Sequence, residues 1–315
     1  MLKAPRKELI TYTPEDCKVI EELALNCQEY DIFAGTWFPR YFYRPSAPFH
    51  KEMHDLADIH PFLAFQAPRG HAKTTNFTFL RVMKSIAYRL NYFILIISDT
   101  WNQGVLFLDS IRNEIKVNSE FTHTYGVTLE TDKVDELVIR IANGDGTYHE
   151  MMIRAMGAGQ KFRGLKFRSK RPDLVLLDDV ENDELVRSDE RRDKLKRWFW
   201  GTLIPSLAEI DPVKHIQLYS EFDLEEEHQV LQDILENDQI PEEKKADLHN
   251  MLINMDFGDF DPEEYSYPQM IFVGTILHDD SLLANVLRSK KFHSVFYQII
   301  KEVKTFPCEI CPNSC

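Results

Sequence analysis

The stretch that decides the fold is FLAFQAPRGHAKTT, residues 62–75. It begins with an apolar run of strand length and passes through a turn that contains Gly70. It ends in Lys73, Thr74 and Thr75, at the start of a segment with helical spacing. Short apolar runs bounded by turn residues are typical of buried strands. The stretch therefore predicts a strand, a loop and a helix in immediate succession.

The same stretch follows the pattern of a phosphate-binding loop, or P-loop. In the strict form, G-x-x-x-x-G-K-[ST], backbone N–H groups surround the phosphates, the lysine reaches the β and γ oxygens, and the hydroxyl binds Mg²⁺. Both glycine positions are alanine in this chain, Ala67 and Ala72. A strict search misses such a pattern, so the prediction needs support from the rest of the chain. The predicted ATP-binding residues are Arg69, Gly70, His71, Ala72, Lys73, Thr74 and Thr75, and Thr74 is also a predicted Mg²⁺ ligand.

Three further apolar runs, residues 93–98, 174–177 and 270–273, also read as buried strands. Helical patterns separate the runs, and alternation of this kind predicts a mainly parallel sheet covered by helices on both faces. Residues 126–156 differ, because apolar and polar residues alternate there around an Asn-Gly-Asp-Gly turn. They predict a β-hairpin inserted into the α/β series.

The charge of the chain is unevenly placed. The net charge is −14 over 315 residues, but residues 208–268 alone hold 18 acidic residues against three lysines, a net of −15. Modest apolar stripes in this segment favour a folded acidic helical insertion. Six cations occur within residues 161–171, and a basic run of this density is either a solvated surface or a contact for phosphates.

Other features of the composition limit the class of protein. No signal peptide and no run of about 18 apolar residues is found, so we expect an intracellular protein with no membrane partner. Five cysteines do not suggest a disulfide framework. Metal binding by Cys308, Cys311 and Cys315 stays open.

Two aspartates follow the third apolar run, as LVLLDD at residues 174–179. Carboxylates at the carboxyl end of a parallel strand are well placed to hold Mg²⁺ beside a phosphate-binding loop. The alternative is a strand end followed by an acidic helix cap. We assign Asp178 to Mg²⁺ and predict that either Asp179 or Glu181 prepares the attacking water; the sequence does not choose between them.

Charge on the transferring phosphoryl group also requires a cation besides the lysine. Arg69 lies within the loop, and three arginines precede the aspartate strand; these are Arg163, Arg168 and Arg171. The alternative for the three is a solvated surface turn. Thr275 ends a further strand in a Gly-Thr pair, where it is a candidate to sense the γ-phosphate, although a turn followed by a helix cap explains the pair equally well.

Four segments in order resemble the large terminase subunit of tailed bacteriophages. They are APRGHAKTT, RGLKFRSKRPDLVLLDDVE, a Trp-bearing helix leading into IPSL, and FVGTILHDDSLL. The resemblance covers residues 45–300 apart from the acidic insertion. It implies the fold of an ASCE-type P-loop NTPase, an α/β domain with a mainly parallel sheet. It also implies an ATP- and Mg²⁺-dependent motor in the host cell cytoplasm that moves double-stranded DNA into a procapsid.

The resemblance further implies a homo-oligomeric ring that works with a portal protein and a small terminase subunit. The arginine finger of such a motor would be one of the three arginines at 163–171, acting on a neighbouring subunit. Adenine contacts are expected just before the loop, from Phe49, His50 and Gln66. Thr275 would couple hydrolysis to movement.

We divide the chain into an N-terminal helical and adenine-side segment (1–60), an ATPase core (61–207 and 269–304), the acidic insertion (208–268) and the start of a linker (305–315). Large terminases carry a nuclease domain after this point, so we expect no DNA cleavage by these residues. Two alternative functions remain: a helicase-like NTPase, and an assembly scaffold that binds nucleotide without hydrolysing it.

Overall fold

The structure is a computed structural model that describes residues 30–43, 46–161, 164–207 and 268–297. Several sequence predictions fall outside these residues: the first 29 residues of the N-terminal segment, nearly all of the acidic insertion, Arg163, and the three C-terminal cysteines.

Eight strands form a single sheet in the order β3-β4-β5-β2-β6-β7-β1-β8. Neighbouring strands are parallel except for β4, which is antiparallel to both β3 and β5. The strands are β1 (Phe62–Gln66), β2 (Phe93–Ser98), β3 (Val127–Lys133), β4 (Glu136–Ala142), β5 (Tyr148–Gly157), β6 (Leu174–Asp178), β7 (Gln269–Gly274) and β8 (His293–Phe296).

Helices cover both faces of this sheet. The α-helices are α1 (Tyr30–Trp37), α2 (Pro48–Ile59), α3 (Arg81–Tyr88), α4 (Trp101–Val117), α5 (Ser119–Tyr125), α6 (Asp189–Trp198) and α7 (Leu282–Leu287). A π-helical segment, Thr75–Leu80, leads from the phosphate-binding loop into α3. The Trp-bearing helix that leads into IPSL is divided into α6, a π-helical turn (Phe199–Leu203) and a 3₁₀ turn (Ile204–Ser206) that contains Pro205.

The central strands are buried on both faces, which explains their continuous apolar sequences. In β1, Leu63 and Phe65 pack into a core beneath α1 to α5, while Phe62 and Ala64 pack into a second core with α6 and α7. The four apolar runs are therefore strands, as predicted. The predicted hairpin is also present as β4 and β5, and β3 extends it into a three-stranded extension of the sheet.

The topology brings the ends of three strands together. Because β7 lies between β1 and β6, the carboxyl ends of all three meet at one edge of the sheet, next to the loop that follows β1. One strand between the loop strand and the carboxylate strand is the arrangement of ASCE-type P-loop domains, so the predicted fold class is confirmed. In the part of the chain that the structure describes, no helix is both long and apolar enough to cross a membrane.

Candidate nucleotide-binding site

The loop after β1 is tied to the neighbouring strand and then adopts an unusual backbone. The Ala67 N–H donates to the Gly274 carbonyl at 3.1 Å. Gly70 has φ +79° and Ala72 has φ +53°, so both residues occupy the left-handed region. Glycine adopts this region readily, whereas alanine there costs about 1–2 kcal/mol. The loop thus holds a left-handed conformation at Ala72, the second of the two glycine positions that are alanine in this chain.

Lys73 connects the loop to two other strand ends. Its Nζ lies 2.7 Å from the Thr275 hydroxyl oxygen, 3.1 Å from the Ala67 carbonyl and 3.4 Å from Asp179 Oδ1. The lysine side chain is only 5% exposed, while that of Asp179 is 51% exposed. The structure therefore brings together the loop, the aspartate strand and the Gly-Thr strand, which the sequence predicted to form one site.

Asp178 lies behind this lysine in a fully buried position. The Thr78 hydroxyl donates to Asp178 Oδ2 at 2.6 Å, but Oδ1 has no hydrogen-bond partner among the described residues. Burial raises the pKa of Asp178 to about 6, while the hydroxyls of Thr78 and Thr74 act in the opposite direction. A buried carboxylate oxygen without a partner is unfavourable unless a cation approaches it.

The environment of Asp178 fits Mg²⁺ in chemical terms. Mg²⁺ in nucleotide sites is usually held by one or two protein oxygens together with phosphates and water. The unpartnered Asp178 Oδ1 and the nearby Thr74 hydroxyl provide such a pair. Among the described residues, no group of three or more His, Cys, Asp or Glu side chains is placed to hold a metal ion.

We expect Asp178→Asn to stabilise the metal-free protein at neutral pH. The folded-state pKa of Asp178 is raised from 3.8 to about 6, so its protonated form favours folding, and that contribution is lost as the pH rises through 6. The asparagine variant avoids this loss. Its free energy of unfolding should exceed the wild-type value by about 2–3 kcal/mol above pH 7 and match it below pH 4. Urea unfolding in EDTA measures both values, with Asp193→Asn on the exposed face of α6 as the control. A constant difference across this pH range would contradict the assignment.

The two candidate catalytic carboxylates have different environments. Asp179 has φ +43°, and its side chain lies beside Lys73 at the exposed face of the site. Glu181 turns away and caps α7: its two carboxylate oxygens accept the N–H groups of Leu282 at 2.6 Å and Leu283 at 3.0 Å. Burial raises the pKa of Glu181, and these two hydrogen bonds lower it. The engagement of Glu181 favours Asp179 as the residue that meets water.

The arginines lie in two separate places. Arg69 is on the loop, where it forms an exposed pair with Asp183 at 3.6 Å, a contact that contributes little. Arg168 instead binds Glu150 at 2.8 Å, near the start of β5. Glu150 lies seven residues before Gly157, where β5 reaches the same edge of the sheet as the loop. Seven residues of strand span about 23 Å.

Arg171 also lies far from the site of its own chain. It precedes Asp173, whose carboxylate accepts the N–H of Phe93 at the start of β2. Its guanidinium is 3.5 Å from the Leu207 carbonyl. Arg168 and Arg171 therefore lie at the edge of the sheet opposite the loop, and a role in phosphoryl transfer requires a second subunit. That role stays a prediction, as does the role of Arg163.

Aromatic side chains line the other side of the loop. Phe49 packs against His50, with ring centroids 4.2 Å apart, and against Tyr297 at 5.1 Å. Gln66 ends β1, and its carbonyl accepts the Tyr297 N–H at 2.8 Å. These residues are close enough to form one side of a base pocket, which the sequence predicted for Phe49, His50 and Gln66. The sequence reasoning missed Tyr297 and Thr78. Thr78 follows Thr74 by one helical turn, and that spacing was the available signal.

The fold and the site together define an ASCE-type P-loop domain with a lysine, hydroxyls and carboxylates at one sheet edge. No protein-family model and no curated protein sequence matches the chain. Among solved structures, an arginine-to-alanine variant of the large terminase ATPase domain from Thermus phage P74-26 is similar, with a TM-score of 0.44 and 9% identity over 82% of this chain and 84% of that chain. The same domain without the substitution gives a TM-score of 0.43 and 10% identity over 82% and 83%.

Proposed function

We propose that the chain is a Mg²⁺-dependent ATPase and the ATPase module of a viral DNA-packaging motor of the large terminase type. The observation that carries the ATPase proposal is the position of Lys73, whose ammonium group is shared by Thr275, Asp179 and the Ala67 carbonyl beside the buried Asp178. Residues from three separate strand ends converge there. A lysine with a purely structural role would not require a loop, a carboxylate and a hydroxyl to meet around its ammonium group.

Lys73 supplies the positive charge for the transferred phosphoryl group. Its charge now faces one carboxylate and two neutral oxygens, and phosphate oxygens compete well for such a cation because they carry more charge. Thr74 and Asp178 would hold Mg²⁺, which when bound would offset negative charge on the phosphate oxygens. The loop N–H groups from Arg69 to Thr75 orient the phosphates.

Asp179 orients the water that attacks the γ-phosphate. Its half-exposed carboxylate is reached by solvent, and the contact with Lys73 holds it at the same edge as the loop. A carboxylate in this position orients a water and accepts its proton. Glu181 is the less favoured alternative, because both of its oxygens are engaged by α7.

Thr275 links the chemistry to the sheet. Its hydroxyl donates to the Ala67 carbonyl at 3.3 Å and accepts from Lys73 at 2.7 Å. A movement of Lys73 toward phosphate therefore changes the hydrogen bonding of Thr275, the residue that follows β7. We propose that this contact reports the nucleotide state to the rest of the motor.

The remaining parts of the proposal follow from the resemblance. Arg69 is the cation available within the chain, and Arg163, Arg168 or Arg171 would act on the site of a neighbouring subunit in a ring. Double-stranded DNA, a portal protein and a small terminase subunit are the proposed partners. The host cell cytoplasm is the proposed location.

The test is ATP hydrolysis by the purified full chain, measured as phosphate release with Mg²⁺ and with EDTA. We expect Mg²⁺-dependent turnover that rises more steeply than linearly with protein concentration, because a finger arginine comes from a second subunit. Double-stranded DNA should increase the rate, and the increase should fall with salt. ATP binding with no turnover at any protein concentration would support the scaffold alternative and overturn the proposal.

A further inference from the structure

We propose that His50 is a positioning residue that holds the phosphate-binding loop in its active shape, instead of a contact for the base. This inference rests on the proposed function, since it concerns the same loop. His50 lies in the first turn of α2, ahead of β1, and is joined to the loop through its ring.

Ala72 is the strained residue, because φ of +53° is unfavourable for a residue with a Cβ. Strained backbone of this kind persists only where neighbouring groups hold it. The peptide that follows Ala72 is held from the helix: the Ala72 carbonyl accepts the Asn76 N–H at 3.0 Å and the Asn76 Nδ2 at 2.8 Å. One of the two peptide planes beside Ala72 is therefore fixed by Asn76.

The other peptide plane, between His71 and Ala72, is held by His50. The His71 carbonyl lies 3.0 Å from His50 Nε2, and the N–H of Ala47 lies 3.3 Å from His50 Nδ1. The Ala47 N–H can only donate, so Nδ1 is the acceptor and the ring proton is on Nε2. His50 thus donates to the His71 carbonyl as a neutral ring. Burial lowers the pKa of His50, which also favours the neutral form.

The direction of this carbonyl determines the direction of a loop N–H. A trans peptide is planar, so its carbonyl and its N–H point in opposite directions. With the His71 carbonyl drawn toward His50, the Ala72 N–H points away from α2. Without that hydrogen bond, the peptide is free to rotate and to relieve the strain at Ala72. The loop would then lose one of the N–H groups that surround phosphate.

A ligand without a base separates this role from base contact. Tripolyphosphate presents the phosphates of ATP alone, so its affinity reports the loop and not the base side. We would measure binding of tripolyphosphate and of ATP to the full chain by calorimetry, for the wild type and for His50→Phe, His50→Gln and Lys73→Ala. Glutamine places an N–H donor near the position of Nε2, whereas phenylalanine keeps an aromatic ring and no donor.

We expect His50→Phe to weaken tripolyphosphate and ATP by the same factor, about tenfold, and His50→Gln to stay within about threefold of the wild type. Loss of ATP affinity alone in His50→Phe would show base contact and overturn the inference. Equal losses in the glutamine and phenylalanine variants would also overturn it. If the wild type binds tripolyphosphate and Lys73→Ala abolishes that binding, the phosphates bind at this loop. If the wild type binds neither ligand, the proposed function fails, an outcome distinct from the failure of His50 alone.

Discussion

Lys73→Ala is expected to lower the rate of ATP hydrolysis by a factor of about 100 or more. The ammonium group is buried, and the contacts that it makes with Thr275, Asp179 and the Ala67 carbonyl hold it at the mouth of the loop. Removing a preorganised charge from a site of this kind typically costs two to three orders of magnitude in rate. The loss should exceed that of Arg69→Ala, because Arg69 is exposed and its pairing with Asp183 is weak.

The measurement is phosphate release at saturating Mg-ATP, with the melting temperature recorded for each variant. Lys194→Ala is the matched control, since Lys194 is an exposed lysine on α6 and alanine is favourable in a helix. We expect this control to keep the wild-type rate. A Lys73→Ala protein that melts like the wild type and hydrolyses ATP within about threefold of it would place the chemistry elsewhere.

Much of this site is readable from the sequence because its signals are local. Four buried strands show as continuous apolar runs, and their order with the helices between them is sufficient to predict a parallel sheet. Parallel strands present their carboxyl ends at the same edge, so Lys73, Asp178 and Thr275 were expected together. The structure brings all three strand ends to that edge.

Other features depend on directions that a sequence does not encode. The basic segment precedes Asp178 by only a few residues, yet β6 runs the width of the sheet in between, and Arg168 lies at the far edge beside Glu150. The hydrogen bond from His50 to the loop joins residues 21 positions apart. β8 has four residues, and only partial burial at Ser294 and Val295 distinguishes it, so no pattern predicted it.

The choice between the two candidate carboxylates is one of these features. Residue order allowed either Asp179 or Glu181, because both closely follow Asp178, the proposed Mg²⁺ ligand. The backbone separates them: the left-handed conformation at Asp179 keeps its side chain beside Lys73, whereas the side chain of Glu181, two residues later, lies against α7. The two residues should therefore respond in opposite ways to substitution.

Asp179→Asn is expected to reduce ATP hydrolysis by about 100-fold while ATP affinity stays within a few-fold of the wild type. Asparagine has the size of aspartate and tolerates the left-handed region, so the fold should not change. Glu181→Ala is expected to do the reverse. It removes the acceptor of the Leu282 and Leu283 N–H groups and should lower the free energy of unfolding by about 1–2 kcal/mol. Its rate per folded molecule should stay within about threefold of the wild type.

Both variants are compared in one pair of assays, single-turnover hydrolysis with bound ATP and urea unfolding in the absence of nucleotide. Single turnover excludes product release from the measured rate, so a loss in Asp179→Asn reports the chemical step. A Glu181→Ala protein that is as stable as the wild type but inactive would transfer the catalytic role to Glu181. That result would require its carboxylate to leave α7 when ATP binds, because in the present structure both oxygens cap the helix and neither faces the loop.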